Sequence, residues 1–249
     1  MDRVLIVPAA GRGSRLGMPG PKALAPVAGR AMLDHLLALH GPTIARAIVV
    51  VAPPALEQFR AFAVASGVAI ELAVQDEPTG MLDAILAAGP AIARSRPNRV
   101  AVTWCDQIAL ATATVDRVAT RALAANAAAL VFPTAIVDRP YIHFDRDGTG
   151  RIVGVRQRRE GDDMPARGET DVGLFDLSLE TYLKELPAFG QRATAGAGTG
   201  ERNFLPFIPW LAASRPVETI AGAESIETVG INTPEELSAI EAHLRSPRV

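Results

Sequence analysis

Three cations and two glycines lie close together shortly after the first apolar segment of the chain. Gly11 and Gly13 belong to a loop to which Arg12, Arg15 and Lys22 add positive charge. Because glycine has no Cβ, the backbone of such a loop can approach a ligand closely and point its N–H groups at phosphate oxygens. A backbone cradle with cations beside it suits the phosphates of a nucleoside triphosphate.

The loop departs from the two commonest phosphate-binding motifs. A dinucleotide-binding fingerprint requires a third glycine where Leu16 stands, which argues against a dinucleotide oxidoreductase. A P-loop ends in Gly-Lys-Ser/Thr, whereas Pro21 precedes Lys22 here. Such a loop on its own is more often a solvated turn, so its interpretation depends on the rest of the chain.

Composition excludes several classes of protein. The 249 residues are 49% hydrophobic and 21% charged, which is typical of one large globular α/β domain or two small ones. A formal net charge of −2 and 5% aromatic residues argue against binding to nucleic acid or to an anionic membrane. No apolar run approaches the roughly 20 residues that span a bilayer. The single cysteine, Cys105, favours a reducing compartment, so we expect a cytoplasmic protein, with homo-oligomerisation left open.

Alternating strand and helix patterns in the first half predict the fold class. Strands are predicted at 3–9, 47–52, 68–75, 99–105 and 128–133, and helices at 31–40, 55–66, 81–93 and 115–126. This order predicts an α/β fold with a Rossmann-like, doubly wound, mostly parallel mixed sheet. Because ligands bind at the carboxyl ends of the strands in such sheets, the first loop and Asp106 should share one edge.

The pattern changes beyond residue 134. We predict a hairpin of strands at 141–145 and 152–158, a charged loop at 158–168, a strand at 172–177 and a helix at 179–186. A glycine-rich loop at 193–200, a bent helix at 202–213, strands near 217–220 and 228–231, and a helix at 235–244 capped by Thr233 follow. We interpret residues 1–249 as one domain: a nucleotide-binding core (1–134), a mainly acceptor-binding inserted subdomain (135–225) and a C-terminal return to the core (226–249).

Five motifs occur in an order that resembles the sugar-phosphate nucleotidyltransferases. They are AAGRGSRL at 9–16 with Pro21-Lys22, APVAGRAML at 25–33, Gln75 with GMLDAI at 80–85, Cys105-Asp106 where the family usually has Gly-Asp, and GINTPEEL at 230–237. The last motif resembles the uridylyltransferase domain of the bacterial N-acetylglucosamine-1-phosphate enzyme. We expect no counterpart of that enzyme's acetyltransferase domain, since the chain stops at Val249.

The resemblance implies transfer of a nucleoside monophosphate from an NTP to a phosphorylated acceptor. Such a reaction is catalysed by positioning and by electrostatic stabilisation, and it needs no general base. It implies that Arg15 stabilises the leaving pyrophosphate and that Lys22 bridges the two reacting phosphates. It also implies that Asp106, as a catalytic residue, and Asn232 hold Mg²⁺, which prefers oxygen ligands. The residues expected to surround the nucleotide are Ala9, Ala10, Gly11, Arg12, Gly13, Ser14, Gln75, Thr79 and Gly80.

Two departures from the relatives affect the acceptor. Gln157 stands where they have a Glu, and Asp171 stands where they have an Asn, so the resemblance places both at the acceptor with altered hydrogen-bonding groups. A sugar 1-phosphate is the first acceptor expected, and a polyol phosphate, a phosphonate or a molybdopterin remains open as the acceptor. A non-catalytic regulator that binds a nucleotide or a sugar phosphate remains open as a different function. For the base we expect UTP or dTTP, followed by CTP and GTP.

Taken singly, the same residues also suit structural roles. Asp106 could cap a helix or end a strand in solvent, Asn232 could serve a turn, and Gln75 could be an ordinary polar residue at a strand end. The functional interpretation therefore depends on the ordered set of motifs.

Overall fold

The structure is a computed structural model that describes residues 2–11, Gly17 and residues 20–245. The predicted phosphate-binding residues Arg12, Gly13, Ser14 and Arg15 lie outside the described residues, so their roles stay predictions. Among the helices of the described ranges, none combines the length and the apolar character that a membrane crossing requires.

Strands and helices alternate along the described chain. The strands are β1 (Arg3–Pro8), β2 (Pro26–Val27), β3 (Arg30–Ala31), β4 (Arg46–Val51), β5 (Ile70–Val74), β6 (Arg99–Thr103), β7 (Leu130–Asp138), β8 (Ile142–Arg146), β9 (Ile152–Gln157), β10 (Arg167–Asp171), β11 (Leu174–Ser178) and β12 (Val217–Ala221). The α-helices are α1 (Met32–His40), α2 (Leu56–Ala65), α3 (Met81–Ala87), α4 (Gly89–Ser95), α5 (Thr112–Ala122), α6 (Leu186–Gly190), α7 (Phe207–Ala212) and α8 (Pro234–Arg245). Short 3₁₀-helices lie at Lys22–Leu24, Gly41–Thr43, Pro53–Ala55, Arg158–Glu160 and Ser225–Thr228, and a π-helical turn lies at Thr181–Glu185.

Eight strands form one mixed sheet in the order β10-β7-β11-β6-β1-β4-β5, with β12 also paired to β7. β1 runs parallel to β4 and β6, and β4 runs parallel to β5. β11 runs antiparallel to β6 and β7, and β10 runs antiparallel to β7. The pairs β2–β3 and β8–β9 form two small antiparallel sheets. The predicted Rossmann-like α/β class is confirmed, and so is the predicted hairpin.

The central strand β1 is buried on both faces. Val4 and Ile6 join an apolar cluster with α3, α4, α6 and α7. Leu5 and Val7 join a second cluster with α1, α2 and α8. Because successive side chains of a strand point to opposite faces, an unbroken apolar run is what a sheet covered on both sides requires. The loop predicted to hold phosphates therefore follows a rigid, fully packed strand.

Strand β10 contradicts part of the sequence prediction. The predicted charged loop extended to Gly168, whereas Arg167–Asp171 forms a strand antiparallel to β7. Its sequence is polar, so its pattern gave no strand signal. β7 supplies the pairing: Gly168 lies opposite Val137, and Asp171 lies opposite Thr134. The strand thus forms through a partner remote in sequence, which local propensity does not reveal.

Two further predictions of secondary structure are wrong. The predicted strand at 228–231 does not form in the described chain. Its first residue belongs instead to the 3₁₀-helix Ser225–Thr228, which a capping box between Glu224 and Glu227 holds. The helix predicted at 81–93 is broken into α3 and α4, because Pro90 begins a new helix at its first turn. The capped C-terminal helix is confirmed as α8.

A buried ion triad joins three strands at the sheet edge where β1 and β6 begin. The Asp176 carboxylate on β11 accepts from Nε of Arg3 on β1 and from Nε of Arg99 on β6, each at 2.6 Å. Arg3 and Asp176 are 0% exposed. Nη1 of Arg3 also donates to Oγ1 of Thr43 at 2.8 Å, and Nη2 of Arg99 donates to the Asp176 carbonyl oxygen at 2.8 Å. One carboxylate thus compensates two buried guanidinium groups.

We expect Asp176→Asn to lower the free energy of unfolding by about 3–5 kcal/mol, because it leaves two buried cations without a counter-charge. Urea denaturation measures the loss. The matched control is Asp138→Asn, which removes an exposed ion pair to Arg167 with side chains 74% and 68% exposed; we expect about 1 kcal/mol or less. Equal losses in the two variants would contradict the assigned importance of the triad.

Candidate functional site

A cavity of about 930 Å³ lies at the sheet edge where β1 and β6 end. Its lining includes the described part of the first loop, the turn after β6, the ends of β9 and β10, and the segment before α8. Most of the described residues that the sequence predicted as a site line it: Ala9, Ala10, Gly11, Lys22, Gln75, Gly80, Asp106, Gln157, Asp171 and Asn232. The fold therefore brings together residues that are more than two hundred positions apart in sequence.

Lys22 joins the two predicted metal ligands. Its Nζ donates to Oδ2 of Asp106 at 2.5 Å and to Oδ1 of Asn232 at 2.9 Å. The side chains of Lys22 and Asp106 are each 14% exposed, so solvent screens this ion pair less than it screens a surface pair. Lys22 lies on a short 3₁₀-helix, Asp106 follows β6, and Asn232 precedes α8. Three distant segments thus place their polar atoms at one point of the cavity.

The capping box of α8 fixes the backbone at Asn232. Oε2 of Glu236 accepts from the backbone N–H of Asn232 at 2.6 Å and from that of Thr233 at 2.9 Å. Oγ1 of Thr233 accepts in return from the backbone N–H of Glu236 at 3.2 Å. The turn therefore has its own hydrogen bonds, while the Asn232 side chain contacts Lys22 through Oδ1 and the Gly230 carbonyl oxygen through Nδ2.

The oxygen atoms of Asp106 and Asn232 fit a hard divalent cation. Both already contact one positive group, the Lys22 ammonium, so they converge on one position. Gly230 leaves room for the carboxylate, since a Cβ there would lie 2.9 Å from Oδ2 of Asp106. Within the described ranges no three His, Cys, Asp or Glu side chains form a metal cluster. A cation held by two protein oxygens would need phosphate oxygens and water as further ligands, which is how Mg²⁺ binds nucleotides.

The predicted nucleoside wall is built from backbone and one amide. The backbone N–H of Ala9 donates to the Val50 carbonyl oxygen at 2.7 Å, so it extends the sheet and is not free for phosphate. Nε2 of Gln75 donates to the carbonyl oxygen of Gly80 at 3.1 Å, and Gln75 is only 8% exposed. Its amide is therefore a fixed part of the cavity wall, not a solvated strand end.

Arg202 supports this wall, a role that no sequence motif indicated. Its backbone N–H donates to the Thr79 carbonyl oxygen at 2.8 Å, and its own carbonyl oxygen accepts from Leu82 at 3.0 Å. Its guanidinium binds the Asp83 carboxylate and the Gly190 carbonyl oxygen. Gly80 has φ +128°, and a Cβ there would lie 2.5 Å from the Arg202 nitrogen, so a side chain would separate the two segments.

On the other side of the cavity, the turn after β10 packs against the turn that carries Asp106. Nε2 of Gln107 donates to the Val172 carbonyl oxygen at 2.8 Å, and the backbone N–H of Trp104 donates to the Gly173 carbonyl oxygen at 3.1 Å. Gly173 has φ +72°, and a Cβ there would lie 2.6 Å from Cδ1 of Trp104. Asp171 therefore has a fixed position relative to the Asp106 turn.

Asp171 is a buried acid on the cavity wall. It is 7% exposed, and its Oδ1 accepts from the backbone N–H of Gly173 at 2.7 Å. Burial raises the pKa of Asp171 to about 6, against the opposing effect of the backbone N–H groups of Gly173 and of Asp171 itself. Gln157 also lines the cavity, and its backbone N–H donates to Asp162 at 2.7 Å.

Glu160 anchors the glycine-rich loop over the cavity. Its carboxylate accepts from Oγ1 of Thr199 at 2.6 Å, from the backbone N–H of Gly198 at 2.8 Å and from Nδ2 of Asn203 at 2.8 Å. A Cβ at Gly196 would collide with this carboxylate. These hydrogen bonds lower the pKa of Glu160 to about 2, and the bond from the Thr199 side chain has the largest effect. Sequence analysis placed Glu160 in a charged loop and did not foresee this role.

We expect Glu160→Gln to loosen the glycine-rich loop. The amide turns one acceptor into a donor that faces other donors, so protection of the Gly198 and Thr199 amides from hydrogen exchange should fall about five- to tenfold at neutral pH. Because the folded-state pKa is lowered, the wild-type anchor is present above pH 4.5 and is lost as the pH falls towards 2.

The matched control for this experiment is Glu57→Gln on α2, whose side chain is 80% exposed and pairs with Arg60. It should leave protection of the loop unchanged. Unchanged protection in Glu160→Gln would show that the loop is held by other contacts.

Known proteins resemble this chain in sequence. Residues 5–167 match the family described as MobA-like NTP transferase domain. Bifunctional protein GlmU of Kineococcus radiotolerans is 30% identical over 250 residues, covering 98% of this chain and 50% of that protein. Bifunctional protein GlmU of Pelotomaculum thermopropionicum is 29% identical over 250 residues, covering 98% of this chain and 52% of that protein. The chain thus spans about half the length of these curated relatives.

Solved structures show the same fold. A UDP-glucose pyrophosphorylase complexed with UDP-glucose superposes with a TM-score of 0.76 at 14% identity, over 100% of both chains. HddC from Yersinia pseudotuberculosis superposes with a TM-score of 0.69 at 17% identity, over 98% of this chain and 100% of HddC. The match over residues 5–167 confirms the resemblance found in the sequence motifs, and the chain belongs to the MobA-like NTP transferase domain family of nucleotidyltransferases.

Proposed function

We propose that this chain transfers a nucleoside monophosphate from an NTP to a sugar 1-phosphate, which gives an NDP-sugar and pyrophosphate. In this reaction an acceptor phosphate oxygen attacks the α-phosphorus, and the bond from the α-phosphorus to the pyrophosphate oxygen breaks. The observation that carries the proposal is the convergence of Lys22, Asp106 and Asn232 in a cavity that the first loop also lines. Family membership supports the reaction class.

The acceptor class follows from the relatives and remains part of the proposal. GlmU proteins match almost the whole of this chain, and the solved UDP-glucose pyrophosphorylase holds a UDP-sugar. The cavity, at about 930 Å³, has the size of a site for a nucleotide together with a small acceptor. Residues 135–225 would supply the acceptor side through Gln157 and Asp171. A single cysteine supports a cytoplasmic location.

Mg²⁺ would bind to Asp106 and Asn232 and would offset the repulsion between the two phosphates. Lys22 now donates to both of these residues, so its ammonium would turn to the phosphates when a nucleotide enters. There it would stabilise charge that develops at the α-phosphorus. Arg15, beyond the described residues, would contact the leaving pyrophosphate, with Arg12, Gly13 and Ser14 beside it.

For the base, the fixed amide of Gln75 suits uracil or thymine. Its Nε2 is engaged by Gly80, which leaves Oε1 to accept a hydrogen bond from a base. N3–H of uracil and thymine is such a donor, and so are N1–H of guanine and the N4 amine of cytosine. UTP and dTTP remain the first expectation, followed by CTP and GTP, and the nucleotide screen decides among them.

A pyrophosphate-release screen with Mg²⁺ tests the proposal. It pairs UTP, dTTP, CTP, GTP and ATP with glucose, N-acetylglucosamine, glucosamine and mannose 1-phosphates, and with glycerol phosphate and a molybdopterin as other acceptors. Turnover with a sugar 1-phosphate supports the proposal, and turnover with another acceptor alone would replace its acceptor class. Tight NTP binding without any turnover would indicate a non-catalytic regulator.

We expect Lys22→Ala to lower kcat by about a hundredfold or more with a much smaller change in NTP affinity, because the ammonium acts on charge that develops in the transition state. The chain has one other lysine to serve as a matched control, Lys184, whose side chain is 73% exposed. Lys184→Ala should keep wild-type kcat. A wild-type kcat in Lys22→Ala would refute the assigned role.

We expect Asp106→Asn to raise the Mg²⁺ concentration needed for half-maximal kcat/KM by about tenfold or more, because the amide keeps the shape of the carboxylate and loses its charge. Excess EDTA should abolish wild-type turnover. Asp116→Asn, an exposed acid on α5, is the control for charge. Normal turnover of Asp106→Asn at low Mg²⁺ would exclude it as the principal ligand, and a collapsed melting temperature would make its role structural.

A further inference from the structure

Asp171 carries a charge that the fold does not use. The turn needs an acceptor at this position for backbone N–H groups, that of Gly173 at 2.7 Å and that of Asp171 itself. Asparagine offers the same carbonyl oxygen and stabilises such turns equally well. A buried carboxylate without a counter-charge instead costs free energy, which an amide would avoid. The local structure therefore gives no reason for an acid in place of an amide.

No described cation compensates this carboxylate. Among residues 2–11, Gly17 and 20–245, no Lys, Arg or His forms an ion pair with Asp171, although 17 such pairs occur elsewhere. Burial raises the pKa of Asp171, two backbone N–H groups oppose this rise, and no neighbouring charge contributes to it. The described charged side chains that line the cavity are Lys22, Asp106, Arg159, Glu160, Glu201 and Glu236.

The nearby charged groups on β10 and β8 are engaged with one another. On β10 itself, Glu169 is bound by Nε and Nη2 of Arg146 on β8, at 2.7 Å each. His143 on β8 faces the carbonyl oxygen of Glu169 at 3.2 Å. Asp171 lines the cavity, so the ammonium group of a bound ligand can reach its carboxylate.

We propose that the acceptor is a phosphate monoester that carries a protonated amine, and that the Asp171 carboxylate binds this ammonium group. The inference rests on the proposed function, because it names the acceptor class of the same site. An ammonium group donates up to three hydrogen bonds and supplies the missing counter-charge at once. The acceptor phosphate would lie towards Lys22, so the two ends of the acceptor meet groups of opposite sign.

Two kinds of molecule share this chemistry, an aminosugar 1-phosphate and an aminoalkyl phosphate. We favour the aminosugar, because Gln157 lines the same cavity and offers an amide to sugar hydroxyl groups. The assay compares kcat/KM for glucosamine 1-phosphate against glucose 1-phosphate, and for phosphoethanolamine against glycerol phosphate. At neutral pH both amines are largely protonated and Asp171 is largely ionised.

We expect wild-type kcat/KM to favour glucosamine 1-phosphate over glucose 1-phosphate by about tenfold or more, mainly through KM. Asp171→Asn keeps the turn acceptor and should bring this ratio to about one. Asp163→Asn removes an exposed acid from the segment between β9 and β10, and should keep the wild-type ratio. Preference for phosphoethanolamine alone would support an aminoalkyl acceptor instead.

Proton release gives a readout that does not depend on turnover. With a pKa of about 6, Asp171 is half protonated at pH 6 in the free protein, and a bound ammonium group lowers that pKa. Calorimetric titration in two buffers should therefore show up to about half a proton more released by wild type than by Asp171→Asn when glucosamine 1-phosphate binds. Glucose 1-phosphate, titrated in parallel, corrects for the ligand's own phosphate.

The outcomes separate this inference from the proposed function. Turnover of neutral sugar 1-phosphates with no amine preference, and equal proton release in the two proteins, would overturn the role of Asp171 while leaving nucleotidyl transfer intact. Absence of pyrophosphate release with every acceptor would overturn the proposed function. A matching melting temperature of Asp171→Asn and wild type shows that the substitution leaves the turn folded.

Discussion

The register of β1, β6 and β11 is the constraint on which the site depends. Asp176 holds Arg3 and Arg99 at the edge where β1 and β6 begin, so the three strands cannot slide past one another without breaking a buried ion pair. A slip of one residue would also exchange the two faces of β1, which pack in different apolar clusters. The opposite ends of the same strands carry the first loop, the Asp106 turn and the turn at Gly173. Fixing the register at one edge therefore fixes the positions of the chemical groups at the other.

The turns at that edge are then joined to one another directly. Gln107 binds the Val172 carbonyl oxygen, and Gly173 lets the β10–β11 turn approach Trp104. Lys22 links the Asp106 turn to the segment before α8. Each contact joins segments far apart in sequence, so the cavity exists only when the whole sheet is formed. Local unfolding of one segment would leave the others without their polar partners.

The sequence could predict whatever depends on local pattern. The apolar run of β1, the strand before Asp106 and the capped start of α8 are all visible in periodicity and residue type. Asp106, Lys22 and Asn232 were found through their motifs, and the structure brings them together. β10 was missed because its polar residues form a strand only beside β7. Glu160 and Arg202 were missed because their roles depend on a loop and a carbonyl group that only the folded chain places next to them.

Charge along the cavity then decides how a substrate can lie in it. A net charge of −2 says nothing about this, because a ligand meets only the charges that line the cavity. Lys22 makes its part of the cavity suited to phosphates. Asp171 adds a buried acid to the lining, and its turn is hydrogen-bonded to the Asp106 turn. A small acceptor with a phosphate at one end would meet repulsion in the reverse orientation, since its phosphate would face a buried carboxylate. The same residue that selects a substrate would thereby orient it, and orientation is the larger part of catalysis in a reaction that needs no general base.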